Sequence, residues 1–209
     1  SEGGAAALLL ASMFPDRVWG LILFGATPKV VRSGDEPVWS SPRDAFDQRL
    51  AALLASWGEP WAIERFAPSR MHDKAFQAWW PRCLRAAASP SAVKAVIENA
   101  AAVDIRGLLR EVETRTLVMS RTGDRIVPIA ASRYLADHLP NARLVELGGD
   151  DHVYFVGADD VVREVAGFIR EAAVEAREGG VVLGPSDGGV ENARAHRRVL
   201  TARLAGRHH

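Results

Sequence analysis

The sequence predicts an α/β fold built on parallel strands, and three observations carry that expectation. Short, nearly continuous apolar runs recur at residues 18–24 (VWGLILF), 116–120 (TLVMS) and 142–147 (ARLVEL), the pattern of strands buried on both faces. Segments of helical period separate these runs, which makes the strands parallel and their connections right-handed crossovers. The second and third runs end in polar turns, RTGD and GGDDH, and in an open parallel sheet function gathers at those carboxyl ends.

In chain order, residues 1–13 read as a turn entering a helix of small residues, stopped by Pro15 and Asp16. The first strand, 18–24, ends at Gly25. Residues 30–42 are rich in Pro, Ser and Gly and read as loop. Residues 43–102 read as several short helices with no strand, broken by Pro60, Pro68, Pro81 and Pro90. The strand at 116–120 is followed by a helix over 129–139 and the strand at 142–147. Residues 159–176 have the period of an amphipathic helix, with Val162, Val165, Ala166, Phe168 and Ile169 on or near one face. From Gly179 onward Gly, Pro and Ser, then Arg and His, replace the core-forming period, so a flexible tail is expected over 177–209.

Bulk composition narrows the function classes. Lys+Arg and Asp+Glu each number 26, so the formal net charge is zero and nothing points to nucleic acid. The single cysteine, Cys83, excludes an internal disulfide and reads as a helix-packing residue. No apolar run reaches the ~18 residues of a membrane span, and the first residues lack the basic start of a signal peptide. A cytoplasmic location is therefore expected. No metal or cofactor motif is visible: His196, His208 and His209 have no structural-metal spacing, and neither metal nor cofactor is expected. Nothing in the sequence sets an oligomeric state.

Three residues stand where a parallel sheet places chemistry. Ser1-Glu2-Gly3-Gly4 matches the second half of the G-x-S-x-G turn that presents a nucleophilic serine. Such a serine sits on a sharp turn, so its neighbours must be small, as Gly3, Gly4 and Ala5 are. The helix that follows aims free N–H groups at developing negative charge, and the Glu2 N–H is the candidate oxyanion donor. Alone, this half-motif reads more simply as an N-cap. Asp124 follows the second strand in a Gly-Asp-x-x-Val-Pro turn, where it can cap an Asx turn or accept a proton from a histidine. His152 follows the third strand. Together they keep the order Ser, Asp, His with one helix and one strand between the last two, which suits an acyl-transfer triad acting on a small acyl substrate.

At these residues the sequence resembles the α/β-hydrolase domains that occur alone or fused ahead of class III adenylate/guanylate cyclases. The resemblance runs through SEGGAAALLLASMFPDRVWGLILFGAT and LVMSRTGDRIVPIAASRYLADHLPNARLVELGGDDHVYFVG. It implies a partial α/β-hydrolase domain over residues 1–176 with an inserted helical cap at about 39–102, beginning at the nucleophile, with the N-terminal strands and oxyanion loop lying before it. It also implies Ser1 as nucleophile, His152 as base and Asp124 as its partner. The cyclase's metal-binding aspartate motif is absent, and HRRVLTARLAG only faintly resembles the entry into that domain, so no cyclase activity is assigned.

Other residues compete for roles. Trp39, Trp57, Trp61, Trp79 and Trp80 either line an apolar acyl pocket over the serine or staple the short helices together. Asp150 or Asp151 could replace Asp124, but sequence neighbours on one loop rarely point at each other's rings, and Asp104 reads as a helix cap. Two other function readings stand beside the serine hydrolase. One is a nucleophile whose own α-amine is the base, which needs an antiparallel sandwich that this pattern lacks. The other is an inactive fragment or binding remnant, with exposed strand edges and little turnover.

Overall fold

The computed structural model describes residues 1–34 and 37–178. Most of the expected tail, from residue 179, with its three histidines, lies outside the described residues. Helix α1 (Gly3–Met13) leads into strand β1 (Leu21–Phe24). Two-residue strands β2 (Val31–Arg32) and β3 (Ser41–Pro42) follow, then helices α2 (Arg43–Ala55), α3 (Ile63–Phe66), α4 (Lys74–Ala87) and α5 (Pro90–Ala102). The chain returns to the main sheet with β4 (Thr116–Arg121), α6 (Ile129–His138), β5 (Ala142–Leu147) and α7 (Asp159–Glu178).

The main sheet has the order β1-β4-β5, with both pairings parallel. Side-chain alternation splits its two faces. Leu21, Leu23 and Val118 pack with Leu8 and Ala11 of α1 and Leu135 of α6. On the opposite face Leu117, Met119 and Leu147 pack with Val161 and Phe168 of α7. Only the middle strand, β4, is buried along its whole length.

Several sequence expectations change here. The first apolar run is strand only from Leu21, and it is not buried on both faces: Ile22 is 39% and Trp19 49% exposed. The reason is position, since β1 is a sheet edge and α7 covers the β4–β5 side. The segment read as loop contains β2 and β3, paired in parallel. Pro81 does not break its helix but lies inside α4, which forgoes one backbone hydrogen bond there. On α7 the buried stripe is Val161, Phe168 and Ala172, with Val165 partly buried, whereas Val162 and Ile169 face outward. Cys83 is half-buried on α4.

The second strand extends one residue further than expected, to Arg121, and that residue organises the next loop. Its guanidinium is buried and donates to the carbonyls of Gly148 (2.9 Å), Val156 (2.6 Å) and Gly157 (3.0 Å). One planar fork thus fixes both ends of the loop that carries His152. Arg121→Met leaves those acceptors without their donors. It is expected to lower unfolding stability by roughly 2–5 kcal/mol, read as a shifted midpoint in urea.

Candidate functional site

The site forms where α1 begins, at the carboxyl ends of the three strands. The Ser1 nitrogen donates to the Phe24 carbonyl at the end of β1 (2.7 Å), and the Ser1 carbonyl accepts from Gly4 N–H (2.9 Å). These bonds fix the serine backbone at the entry to α1. The small residues after it have a steric purpose: a Cβ on Gly4 would lie 2.6 Å from that of Ala26.

Asp124 sits in the turn after β4. One carboxylate oxygen accepts from the N–H groups of Ile126 (2.8 Å) and Val127 (3.0 Å), closing an Asx turn. The other lies 2.8 Å from Nδ1 of His152. His152 and Asp124 are only 6% and 7% exposed, so water competes little for this bond. A carboxylate only accepts, so Nδ1 must carry the proton, which leaves the Nε2 lone pair free. Nε2 lies 3.1 Å from Ser1 Oγ. The structure therefore brings Ser1, His152 and Asp124 together in one hydrogen-bonded chain.

Glu2 stands at the N-cap of α1 without a side-chain capping bond. Burial pushes its carboxyl pKa up, but hydrogen bonding with Ser1 and with its own N–H outweighs this and holds it below the ordinary carboxylate range. The competing acids lie elsewhere. Asp151 accepts from the N–H (3.0 Å) and hydroxyl (2.8 Å) of Ser69, and Asp150 is 3.4 Å from Arg125. Asp104 precedes a 3-10 turn, accepting from Arg106 N–H (3.2 Å), and also pairs with Lys29 (3.1 Å). Burial raises its pKa, but the hydrogen bonds from Arg106 and Lys29 prevail and bring it down to about 2.

A cavity of about 200 Å³ opens over Ser1, walled by Val30, Trp39, Phe66, Ile97 and Val127, with Glu2 at one side. Of the five tryptophans that could form this wall, Trp39 alone lines it. Trp57 donates to the Ala88 carbonyl (3.0 Å) and Trp80 to the Trp61 carbonyl (3.1 Å). Trp61 packs on Phe66, and Trp79, 41% exposed, contacts Trp80 and Phe155. Trp57, Trp61, Trp79 and Trp80 thus stand outside the lining of this cavity, Trp57 and Trp80 held by their indole hydrogen bonds and Trp61 and Trp79 by ring contacts.

Two residues of the site escape the sequence pattern. Gly25, at φ +53°, turns the chain beneath the histidine, and a Cβ there would lie 2.9 Å from His152 Cε1 and 3.3 Å from Asp124 Oδ2. The glycine directly after an apolar run is the available signal. Phe66 accepts from the N–H groups of His152 (2.9 Å) and Val153 (3.2 Å) and sets its ring edge-on to the imidazole. Those two bonds use a main-chain carbonyl, which no residue type announces.

Residues 1–158 match the family model described as alpha/beta hydrolase fold. The chain belongs to that family. Among curated relatives, the pimeloyl-acyl-carrier-protein methyl ester esterase of Nitrosomonas europaea is 30% identical over 162 residues, covering 75% of this chain and 63% of the relative. The 2-hydroxymuconate semialdehyde hydrolase of Pseudomonas putida is 32% identical over 177 residues, covering 82% and 61% respectively. The chain thus spans less than two thirds of the length of either. Among solved structures, an esterase from Exiguobacterium antarcticum superposes with a TM-score of 0.69 at 20% identity, covering 81% of this chain and 64% of that one. The enol-lactonase of Burkholderia xenovorans gives 0.64 at 22% identity, covering 81% and 63%. Both structures share the fold. Among the described residues, no helix is long and apolar enough to cross a membrane.

Proposed function

We propose that this hydrolase cleaves small esters through a covalent acyl-serine. The observation that carries the reading is the relay from Ser1 Oγ through His152 to Asp124 beneath an apolar cavity. In the proposed cycle, Ser1 Oγ attacks the ester carbonyl carbon as His152 Nε2 takes the hydroxyl proton. Asp124 holds the imidazole tautomer and stabilises the imidazolium. The carbonyl oxygen becomes an oxyanion, which accepts from the Glu2 N–H once the Glu2 carboxylate swings off it, at the positive end of α1. Collapse expels the alcohol, which takes the proton from His152. Water then repeats the steps on the acyl-serine, releasing the acid and restoring Ser1.

The cavity's size bears on the substrate. About 200 Å³ is below the ~300 Å³ lower end of drug-sized ligand pockets. A short or narrow acyl group suits it. The names of the two curated relatives, a methyl ester esterase and a semialdehyde hydrolase, agree with a carbonyl substrate. The engagement of Ser1 by an imidazole, together with a parallel sheet, argues against the α-amine as base.

The same proposal includes a hydrolase domain over 1–176 with a helical cap at about 39–102, and a cytoplasmic location. The link to cyclase-fused hydrolases rests on the segments 1–27 and 117–157 alone. The other reading is an inactive hydrolase-like fragment or a non-catalytic binding remnant.

Labelling with a fluorophosphonate decides between these readings. The expected result is one adduct, mapped to Ser1 by mass spectrometry and absent from Ser1→Ala. With p-nitrophenyl esters of increasing chain length, turnover should be highest for the shortest acyl groups. A chain that resists the probe, or that labels equally well as Ser1→Ala, would remove the assignment.

A further inference from the structure

The loop that carries His152 is gripped from two sides. Arg121 holds its ends from the sheet. From the other side it is sewn to the segment that leaves α3. Phe66 O accepts from the N–H groups of His152 (2.9 Å) and Val153 (3.2 Å), and Asp151, 7% exposed, spends one oxygen on Ser69 N–H (3.0 Å) and the other on Ser69 Oγ (2.8 Å). Four hydrogen bonds therefore join residues 66–69 to residues 151–153. A buried carboxylate without these donors would bear the full desolvation penalty, so the pairing is strongly favoured. Phe66 is also a wall of the cavity over Ser1 and touches the imidazole edge-on.

We propose that Ser69 and Asp151 are positioning residues, a latch through which the seating of the helical segment against the substrate cavity sets the alignment of His152 with Ser1. Neither side chain touches the substrate. The latch fixes the backbone on either side of the imidazole: Asp151 anchors the preceding residue, and the Phe66 carbonyl then meets the N–H groups of His152 and Val153. An acyl group pressing on Phe66 is thereby coupled to the general base. The inference rests on the serine-hydrolase reading above.

The test uses the full 209-residue chain. Asp151→Ala removes both acceptors. Asp151→Asn keeps an oxygen for the Ser69 N–H and offers an NH2 group to the hydroxyl, so it preserves the pairing without the charge. With p-nitrophenyl acetate, kcat of Asp151→Ala per folded molecule should fall ~100-fold while KM changes less than about threefold, the signature of a displaced catalytic group. Asp151→Asn should stay within about threefold of the parent. Ser69→Ala, which deletes only the hydroxyl, should lose less, and Ser69→Thr should restore it; this pair decides the question if Asp151→Ala does not fold. Amide exchange at His152 and Val153 should accelerate in Asp151→Ala.

Parental kcat in a folded Asp151→Ala chain, or an equal loss in Asp151→Asn, would overturn the latch. If the parent shows no Ser1-dependent turnover, the hydrolase reading falls by itself. The exchange comparison then still judges the latch, which unchanged protection at His152 and Val153 would refute.

Discussion

His152→Ala is expected to lower ester turnover by ~10⁴-fold or more and to slow fluorophosphonate labelling of Ser1 by a comparable factor. Both effects follow from one geometry. Without Nε2 at 3.1 Å, the Ser1 hydroxyl keeps its proton and is a poor nucleophile at neutral pH. The loss should fall on kcat, because His152 is not among the residues lining the cavity that would bind the acyl group. The fold should survive: Asp124 retains the Ile126 and Val127 N–H groups, and the loop backbone retains the Phe66 carbonyl and Arg121. Steady-state kinetics with a circular-dichroism melt would separate the two. A folded variant with more than a tenth of parental turnover would show that another group removes the proton.

The legible part of the fold is the part governed by period and punctuation. β5 is readable to the residue because ARLVEL is bounded by Asn141 and Gly148. The start of β1 is not, because Val18, Trp19 and Leu21 look alike in a hydropathy pattern, and only the position of β4 decides where pairing begins. The outward faces of Val162 and Ile169 on α7 are a similar case. An apolar residue one step off the stripe costs little when exposed, so the sequence does not distinguish Val161 from Val162. In the site, Ser1, Asp124 and His152 are findable because strand ends and chain order constrain them. The wall of the cavity is not, since tryptophans satisfy the same hydropathy whether they face a ligand or each other. Asp151 is a different case. Adjacency on one loop already disfavours His152 as its partner, and in space its carboxylate belongs to Ser69, which the sequence does not announce.

Gly25 offers the sharpest test of how the end of the first strand serves the site. At φ +53° a side chain already strains the backbone, by roughly 1–2 kcal/mol for a residue with a Cβ in the left-handed region. Here the Cβ would also lie 2.9 Å from His152 Cε1 and 3.2 Å from Nδ1, atoms of a rigid ring already bonded to Asp124 and Ser1. The ring cannot yield without breaking one of those bonds. Gly25→Ala is therefore expected to cost roughly 2–3 kcal/mol of stability and ~100-fold or more in kcat. Gly34→Ala separates strain from collision. Gly34 has φ +80°, yet among the described residues a Cβ there meets nothing within 4 Å. That variant should lose only roughly 1 kcal/mol in denaturation and retain parental turnover. If both alanine variants turn over alike, contact with the imidazole is not what requires glycine at position 25.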